Sequence, residues 1–252
     1  MMDIFSLQGK KAFVSGASRG LGREMALTLA EAGADVALAA RNLEGLNETA
    51  AWIEKMGRKA LVCPMDISKL DEIEKAVNDA VKAFGLIDIL INNSGIAGDT
   101  PVAEMTPEKW DRVMDVNLKG HVFCTQAVGR HMIANRYGKI INIASIAGII
   151  GVIYSSPYCV AKAGLILFTK TLALEWARYN IQVNALCPGY FLTDLNRDFF
   201  QTPAGQKVIS KIPMRRLAEV KEIRGATLLL ASDASSFMTG SVVVVDGGHI
   251  VG

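Results

Sequence analysis

The 252-residue sequence predicts an α/β fold, with one doubly wound, parallel, seven-stranded sheet in a single domain over residues 1–252. Three observations predict it. Short β-branched apolar runs recur along the chain with longer helical patterns between them, the order that right-handed crossovers in a parallel sheet require. The runs are continuously apolar rather than alternating, as expected of strands covered by helices on both faces. No linker or change of composition divides the chain, and 50% of it is hydrophobic, ample for one large core.

Lys11–Ser15 reads as the first strand, followed by a helix to about Ala32. Residues 35–39 form the second expected strand, and a helix runs from Leu43 to about Met56. The third strand is 59–63, and Ser68 reads as the N-cap of the next helix. The fourth, 87–91, is bounded by Gly85 and Gly95. Residues 139–144, 182–186 and 241–245 complete the set of seven. Residues 140–161 carry no charge, a stretch long enough to span a membrane. Asn142, Ser145, Gly148, Gly151, Ser155, Ser156 and Pro157 interrupt it, so it reads as a buried strand, a loop and a helix start.

Composition narrows the function. The formal net charge is +2, from 27 basic and 25 acidic residues well mixed, which argues against nucleic-acid or membrane-surface partners. Cys63, Cys124, Cys159 and Cys187 show no Cys-x-x-Cys spacing and lie in apolar stretches, the pattern of reduced thiols in a cytoplasmic protein. His121, His131 and His249 form no ligand cluster, so no metal site is expected. The N-terminus lacks the basic and apolar regions of a secretory signal.

The first strand runs into Ser15-Gly16-Ala17-Ser18-Arg19-Gly20-Leu21-Gly22. Glycines at such a turn let backbone approach a pyrophosphate, and the following helix N-terminus adds amides and a positive dipole. A tight turn with packing glycines is the structural alternative. Acidic residues after the second strand commonly bind ribose hydroxyls of NAD. Here the sequence is Ala39-Ala40-Arg41-Asn42, so Arg41 with Arg19 is expected to hold a 2′-phosphate, and NADP to be preferred over NAD. Asp66-Ile67 and Asn92-Asn93-Ser94-Gly95 follow the third and fourth strands, at carboxyl ends where ligands bind open α/β sheets. As structural alternatives, Asp66 caps a helix and Asn93 occupies a turn.

Tyr158-Cys159-Val160-Ala161-Lys162 places a phenol and an ammonium on one helix face, with Ser145 thirteen residues upstream. A lysine close beside a tyrosine lowers the phenol pKa from about 10, which would ready it for proton transfer. With a serine hydroxyl bonding the same oxygen, the three suit the interconversion of a ketone and an alcohol.

On these motifs the chain resembles the short-chain dehydrogenase/reductase family, with its Rossmann-type sheet, over nearly its whole length. The family's catalytic serine, tyrosine and lysine correspond to Ser145, Tyr158 and Lys162, and its structural or catalytic asparagine to Asn117. The resemblance implies cofactor contacts from Gly16, Ser18, Arg19, Gly20, Leu21, Gly22, Arg41, Asp66, Ile67, Asn93, Tyr158, Lys162, Pro188, Gly189 and Thr193. It implies that Lys162 also binds the nicotinamide ribose and that Asn117 links Lys162 to solvent through water. A non-catalytic nucleotide-binding member would be expected to lose Tyr158 or Lys162, and neither is lost. Within the family the chain looks most like the gluconate 5-dehydrogenase and 3-oxoacyl-carrier-protein reductase groups.

Residues 146–157 and 190–210 are expected to line the substrate pocket. The first segment is strongly apolar, so a hydrophobic or medium-sized ketone is the expected substrate, with sugar acids as the main alternative and 3-oxoacyl thioesters as a further one. Arg197, Lys207, Lys211 and Arg215 are candidate carboxylate partners or solvated helix residues. Leu165, Ile166, Leu167, Phe168, Leu172, Leu174 and Trp176 wrap much of one helix, which predicts a second partner for it and a homotetramer.

Overall fold

The computed structural model describes residues 3–193 and 196–252. Seven parallel strands form the main sheet, in the order β3-β2-β1-β4-β5-β6-β9. They are β1 (Lys11–Ser15), β2 (Asp35–Ala40), β3 (Ala60–Pro64), β4 (Ile89–Asn92), β5 (Gly138–Ile143), β6 (Ile181–Pro188) and β9 (Val242–Val245). Each expected strand is present, β1 with the expected bounds and the others with ends shifted by at most two residues. β7 (Phe191–Leu192) and β8 (Ala218–Glu219) pair separately as a short parallel ribbon.

Every residue of β2, β4, β5 and β6 is buried, which explains their continuous apolar runs. One core layer packs Met25, Leu29, Leu46 and Ile53 of the helices α1 (Gly20–Glu31) and α2 (Leu43–Lys55) under the sheet. The opposite layer joins Phe13, Leu90 and Ile140 to Ile73, Val77, Cys124 and Val128. Those last four lie on α3 (Leu70–Phe84) and α5 (Gly120–Asn135). Ser68 is not the cap of α3. Lys69 holds that position, and the Ser68 hydroxyl instead donates to Asp66 at 2.8 Å.

The order reverses between β1 and β4, so a crevice opens beyond their carboxyl ends. Ser15 and Asn93 join its two sides. Ser15 Oγ accepts from the backbone N–H of Asn93 at 3.0 Å, and Asn93 Nδ2 donates to the Ser15 carbonyl at 3.1 Å. A buried polar ladder runs beneath. Asn92 Nδ2 donates to Thr125 at 2.7 Å and to Asn142 Oδ1 at 2.9 Å, and Asn142 Nδ2 donates to Thr169 at 2.9 Å. Asn92 and Asn142 face each other in register on β4 and β5, which lets the one amide donate to the other, while Asn92 Oδ1 is buried without a partner.

The helix α4 (Pro107–Met114) meets α5 through one π-helical turn, Asp115–Lys119. The helix α6 (Ser156–Trp176) packs on β6. Together with the turn that follows, Ser156–Tyr179 is long and apolar enough to cross a membrane by length and composition alone. In this fold it buries Ala161, Lys162, Leu165, Thr169 and Leu172 against the sheet. Two short helices, α7 (Arg197–Gln201) and α8 (Pro203–Ile209), lie beside the crevice, and α9 (Arg224–Ala231) covers α1.

Candidate active site

A cleft of about 1090 Å³ occupies the crevice. Gly16, Ser18, Arg19, Gly20, Leu21, Gly22, Arg41, Asp66, Ile67, Asn93, Ser145, Tyr158, Lys162, Pro188, Gly189 and Thr193 all line it. Of the expected site residues, only Asn117 lies behind the wall.

At the β1 end the loop is built for close approach. Gly16 has φ 68°, and a Cβ on Gly22 would stand 2.1 Å from the Gly16 carbonyl oxygen. Arg19 is the N-cap of α1 and makes no side-chain cap bond, so the first-turn amides face the cleft without a side-chain acceptor. That is the state in which a helix N-terminus receives an anion. Thr193 stands across the cleft, its methyl 3.8 Å from where a Cβ of Gly20 would be. The bare glycine turn and the uncapped helix N-terminus fit the anionic part of a dinucleotide.

Beyond β2, Arg41 is 66% exposed and lies 3.8 Å from Asp66, a loose ion pair. Burial of Asp66 opposes ionisation. The N–H and hydroxyl of Ser68 outweigh it and hold the carboxyl below its ordinary value. Asn42 caps α2, accepting from the Gly45 N–H at 3.3 Å, and also faces the cleft.

At the other end, Ser145 leaves β5 in extended conformation and accepts from the Ala147 N–H at 3.1 Å. Tyr158 lies in the first turn of α6 and Lys162 one turn later. Lys162 Nζ is 5.7 Å from the Tyr158 ring centre and donates to the Ile143 carbonyl at 2.8 Å. The expected lowering of the tyrosine does not occur in this state. Burial pushes the Tyr158 phenol up, with Ser145 opposing it and Asp99 adding to it. Lys162 is itself fully buried, committed to Ile143 and brought down to about 8 by desolvation.

Asn117 sits in the π-helical turn with no exposed surface. Its side chain clasps the backbone of Ile96, accepting from the N–H at 2.8 Å and donating to the carbonyl at 2.8 Å. A Cβ on Gly95 would be 3.3 Å from Asn117 Oδ1 and 3.9 Å from Lys162 Nζ, so the bare glycine keeps a gap between them.

Sequence reasoning missed His121, Asp99 and Ser155. His121 is fully buried and lies 2.7 Å from the Ser94 carbonyl through Nε2. Its place one turn after Asn117 was the available signal. Asp99 accepts from the Ser155 hydroxyl at 2.8 Å, a loop-to-loop contact that no local pattern announces. Both segments expected beside the substrate line the cleft, through Ile146, Ala147, Val152, Ile153 and Tyr154 and through Tyr190, Asn196, Phe199, Ala204 and Val208. Arg197, Lys207, Lys211 and Arg215 do not line it.

A dinucleotide crevice at a sheet reversal, joined to a buried tyrosine–lysine pair and a serine, defines a nicotinamide-dependent oxidoreductase of alcohols and ketones. The sequence model of the family described as Enoyl-(Acyl carrier protein) reductase matches residues 16–249. The chain belongs to the short-chain dehydrogenase/reductase family. It is 39% identical to the gluconate 5-dehydrogenase of Gluconobacter oxydans (strain 621H), covering 99% of this chain and 98% of that one. It is 38% identical to an NAD-dependent glycerol dehydrogenase of Listeria innocua serovar 6a, over 98% of this chain and 96% of the relative. The crystal structure of a gluconate 5-dehydrogenase from Burkholderia cenocepacia J2315, in complex with NADP and tartrate, superposes with a TM-score of 0.94. It is 38% identical, over 99% of this chain and 98% of that one.

Proposed function

We propose that the protein is an NADP(H)-preferring reductase of a hydrophobic or medium-sized ketone, working in reverse on the matching secondary alcohol. The placement of Tyr158, Ser145 and Lys162 at one end of a continuous cleft, with Arg19 and Arg41 at its other end, carries this reading. A bound nicotinamide supplies or accepts the hydride. Tyr158 gives the proton to the carbonyl oxygen, and Ser145 donates a hydrogen bond to that oxygen. Lys162 holds positive charge behind the phenol and binds the nicotinamide ribose. Asn117 fixes Ile96 and, across the gap at Gly95, carries the water link from Lys162 to solvent. Arg41 and Arg19 hold the 2′-phosphate, and the amides of Gly20, Leu21 and Gly22 hold the pyrophosphate. Asp66, Ile67, Asn93, Pro188, Gly189 and Thr193 complete the cofactor contacts.

Sugar acids are the second reading, favoured by the gluconate 5-dehydrogenase relatives. Against it stands the wall of Val152, Ile153, Tyr154, Phe199 and Val208. A substrate hydroxyl left unpaired against such a wall costs about 1–3 kcal/mol. One unit spanning the chain, a cytoplasmic location and a homotetramer complete the reading. Following NADPH oxidation with a panel of aliphatic, cyclic, β-keto thioester and keto-acid substrates tests it. Turnover of 5-ketogluconate far above that of the uncharged ketones would reverse the order of the two readings.

A further inference from the structure

From residues 146–157 and 190–210 the cleft takes a mainly apolar wall, with Val152, Ile153, Tyr154, Tyr190, Phe199 and Val208. Among the described residues, one charged side chain belongs to this wall, Asp99. The cations of the cleft are elsewhere. Arg19 and Arg41 follow β1 and β2, and Lys162 is turned toward the Ile143 carbonyl.

Asp99 is fixed in place. Ser155 Oγ donates to its Oδ1 at 2.8 Å, and the N–H of the next residue, Thr100, donates to the Tyr154 carbonyl at 2.7 Å. Tyr154 adopts φ 63°, a left-handed conformation held by this clamp. The loop after β4 is thereby tied to the loop before Tyr158. Oδ2 of Asp99 has no hydrogen-bond partner among the described residues. Lys109 and Arg112 line an adjoining depression that shares Asp99.

We propose that Asp99 selects the substrate class, on the reading of the site as a carbonyl reductase. Its free carboxylate oxygen accepts a hydrogen bond from the single hydroxyl of a neutral, medium-sized hydroxyketone, and its charge turns away substrates that carry a carboxylate. A hydroxyl donating to a carboxylate makes a strong bond, and the exposed Asp99 charge repels a carboxylate most at low salt, where screening is weak. The chain would then act on neutral hydroxylated substrates, in contrast to an enzyme whose substrate is gluconate.

Three probes of one length separate the effects: pentan-2-one, 5-hydroxypentan-2-one and 4-oxopentanoate. Their binding to the full-length protein saturated with NADP⁺ is measured by calorimetry, which needs no turnover. The hydroxyketone should bind about tenfold more tightly than the plain ketone, and the keto acid about tenfold more weakly, each step being about 1.4 kcal/mol. Asp99→Asn keeps the size and the acceptor for Ser155 and should abolish the discrimination against 4-oxopentanoate. In the unaltered protein that discrimination should shrink from low salt to about 0.5 M salt, where the Debye length is only a few ångströms. This arm needs no variant to fold.

Equal affinities in the unaltered protein, an unchanged ranking in Asp99→Asn, a salt-independent ranking, or no binding by any probe would each overturn the proposal. Turnover with NADPH is measured separately. Reduction of pentan-2-one without the ranking removes the role of Asp99 and leaves the reductase reading intact. The ranking without turnover of any ketone does the reverse.

Discussion

Lys162 Nζ donates a 2.8 Å hydrogen bond to the carbonyl of Ile143, which ties α6 to the last residue of β5 just before Ser145. The bond positions Tyr158 and Ser145 relative to each other through their own elements. It also fixes the charge that the chemistry needs at a buried point.

Replacing Tyr158 by Phe removes the transferable proton and little else. Turnover should fall by about 10²–10⁴-fold, the usual contribution of one acid or base, with cofactor affinity nearly unchanged. Lys162→Met should lower turnover and cofactor affinity together. It should also destabilise the fold by about 1–3 kcal/mol, since the Ile143 carbonyl is left buried without a donor. Steady-state kinetics, cofactor titration and thermal melts of the two variants check this. Substantial activity in Tyr158→Phe contradicts the mechanism.

At the other end of the cleft, Arg41 is exposed and only loosely engaged by Asp66 at 3.8 Å, so it can turn to a phosphate with little loss. Charge-assisted hydrogen bonds contribute about 1.5–3 kcal/mol. Arg41→Ala should therefore raise the KM for NADPH by about ten- to a hundredfold while moving that for NADH much less. Comparing kcat/KM for the two cofactors before and after the substitution decides it. An unaltered protein that uses NADH as well as NADPH would remove the basis for the preference.

The sheet was legible because each strand is a buried apolar run, and burial on both faces leaves little freedom in composition. Strand ends were less legible, since hydrogen bonding rather than side-chain type sets them. Ile89–Asn92 and Ile181–Pro188 differ from the expected bounds for this reason. The cluster of Ser145, Tyr158 and Lys162 was legible because Tyr158 and Lys162 are one helical turn apart and Ser145 follows the end of a strand. The electrostatics were not. Proximity alone suggested a lowered phenol pKa, whereas burial raises it and Lys162 is engaged by a carbonyl nineteen residues away. Asn142 is a polar residue inside an apolar strand whose partner, Asn92, lies fifty residues earlier, a pairing that only the register reveals. Asp99 stayed hidden for the same reason, because its partner is Ser155.

His121 supplies a pH prediction. Burial, with the Lys162 charge adding to it, lowers its pKa to about 3, against a contribution from the Ser94 carbonyl that raises it. Its Nδ1 is buried without a partner, so the neutral ring is the folded form. Unfolded, it takes a proton near pH 6.5. Between about pH 6.5 and 3 the unfolded state thus binds more protons than the folded one, and stability falls as pH falls, by up to roughly 1.4 kcal/mol per pH unit from this residue. His121→Gln keeps a donor for Ser94 and should flatten that slope. Denaturant midpoints from pH 7 to 4.5 measure it. Identical slopes in the two proteins would place the acid sensitivity elsewhere.

The last prediction concerns α6. Val160, Leu167 and Leu174 are 46%, 65% and 85% exposed, and they repeat every seven residues along one face. The opposite face already covers the sheet through Leu165 and Leu172. Burying an exposed leucine contributes about 1.5–3 kcal/mol, so two copies of this stripe meeting across a two-fold axis form a stable contact. Phe237 and Val251, fully and 85% exposed near the other end of the chain, offer apolar surface for a second two-fold axis, and two such axes give a tetramer. Light scattering at micromolar concentration should give four times the 27.1 kDa chain mass. Leu167→Glu combined with Leu174→Glu should reduce it to two, with the far-ultraviolet dichroism of the fold retained. A monomeric mass for the unaltered protein would leave the stripe without its partner copy and refute the assembly.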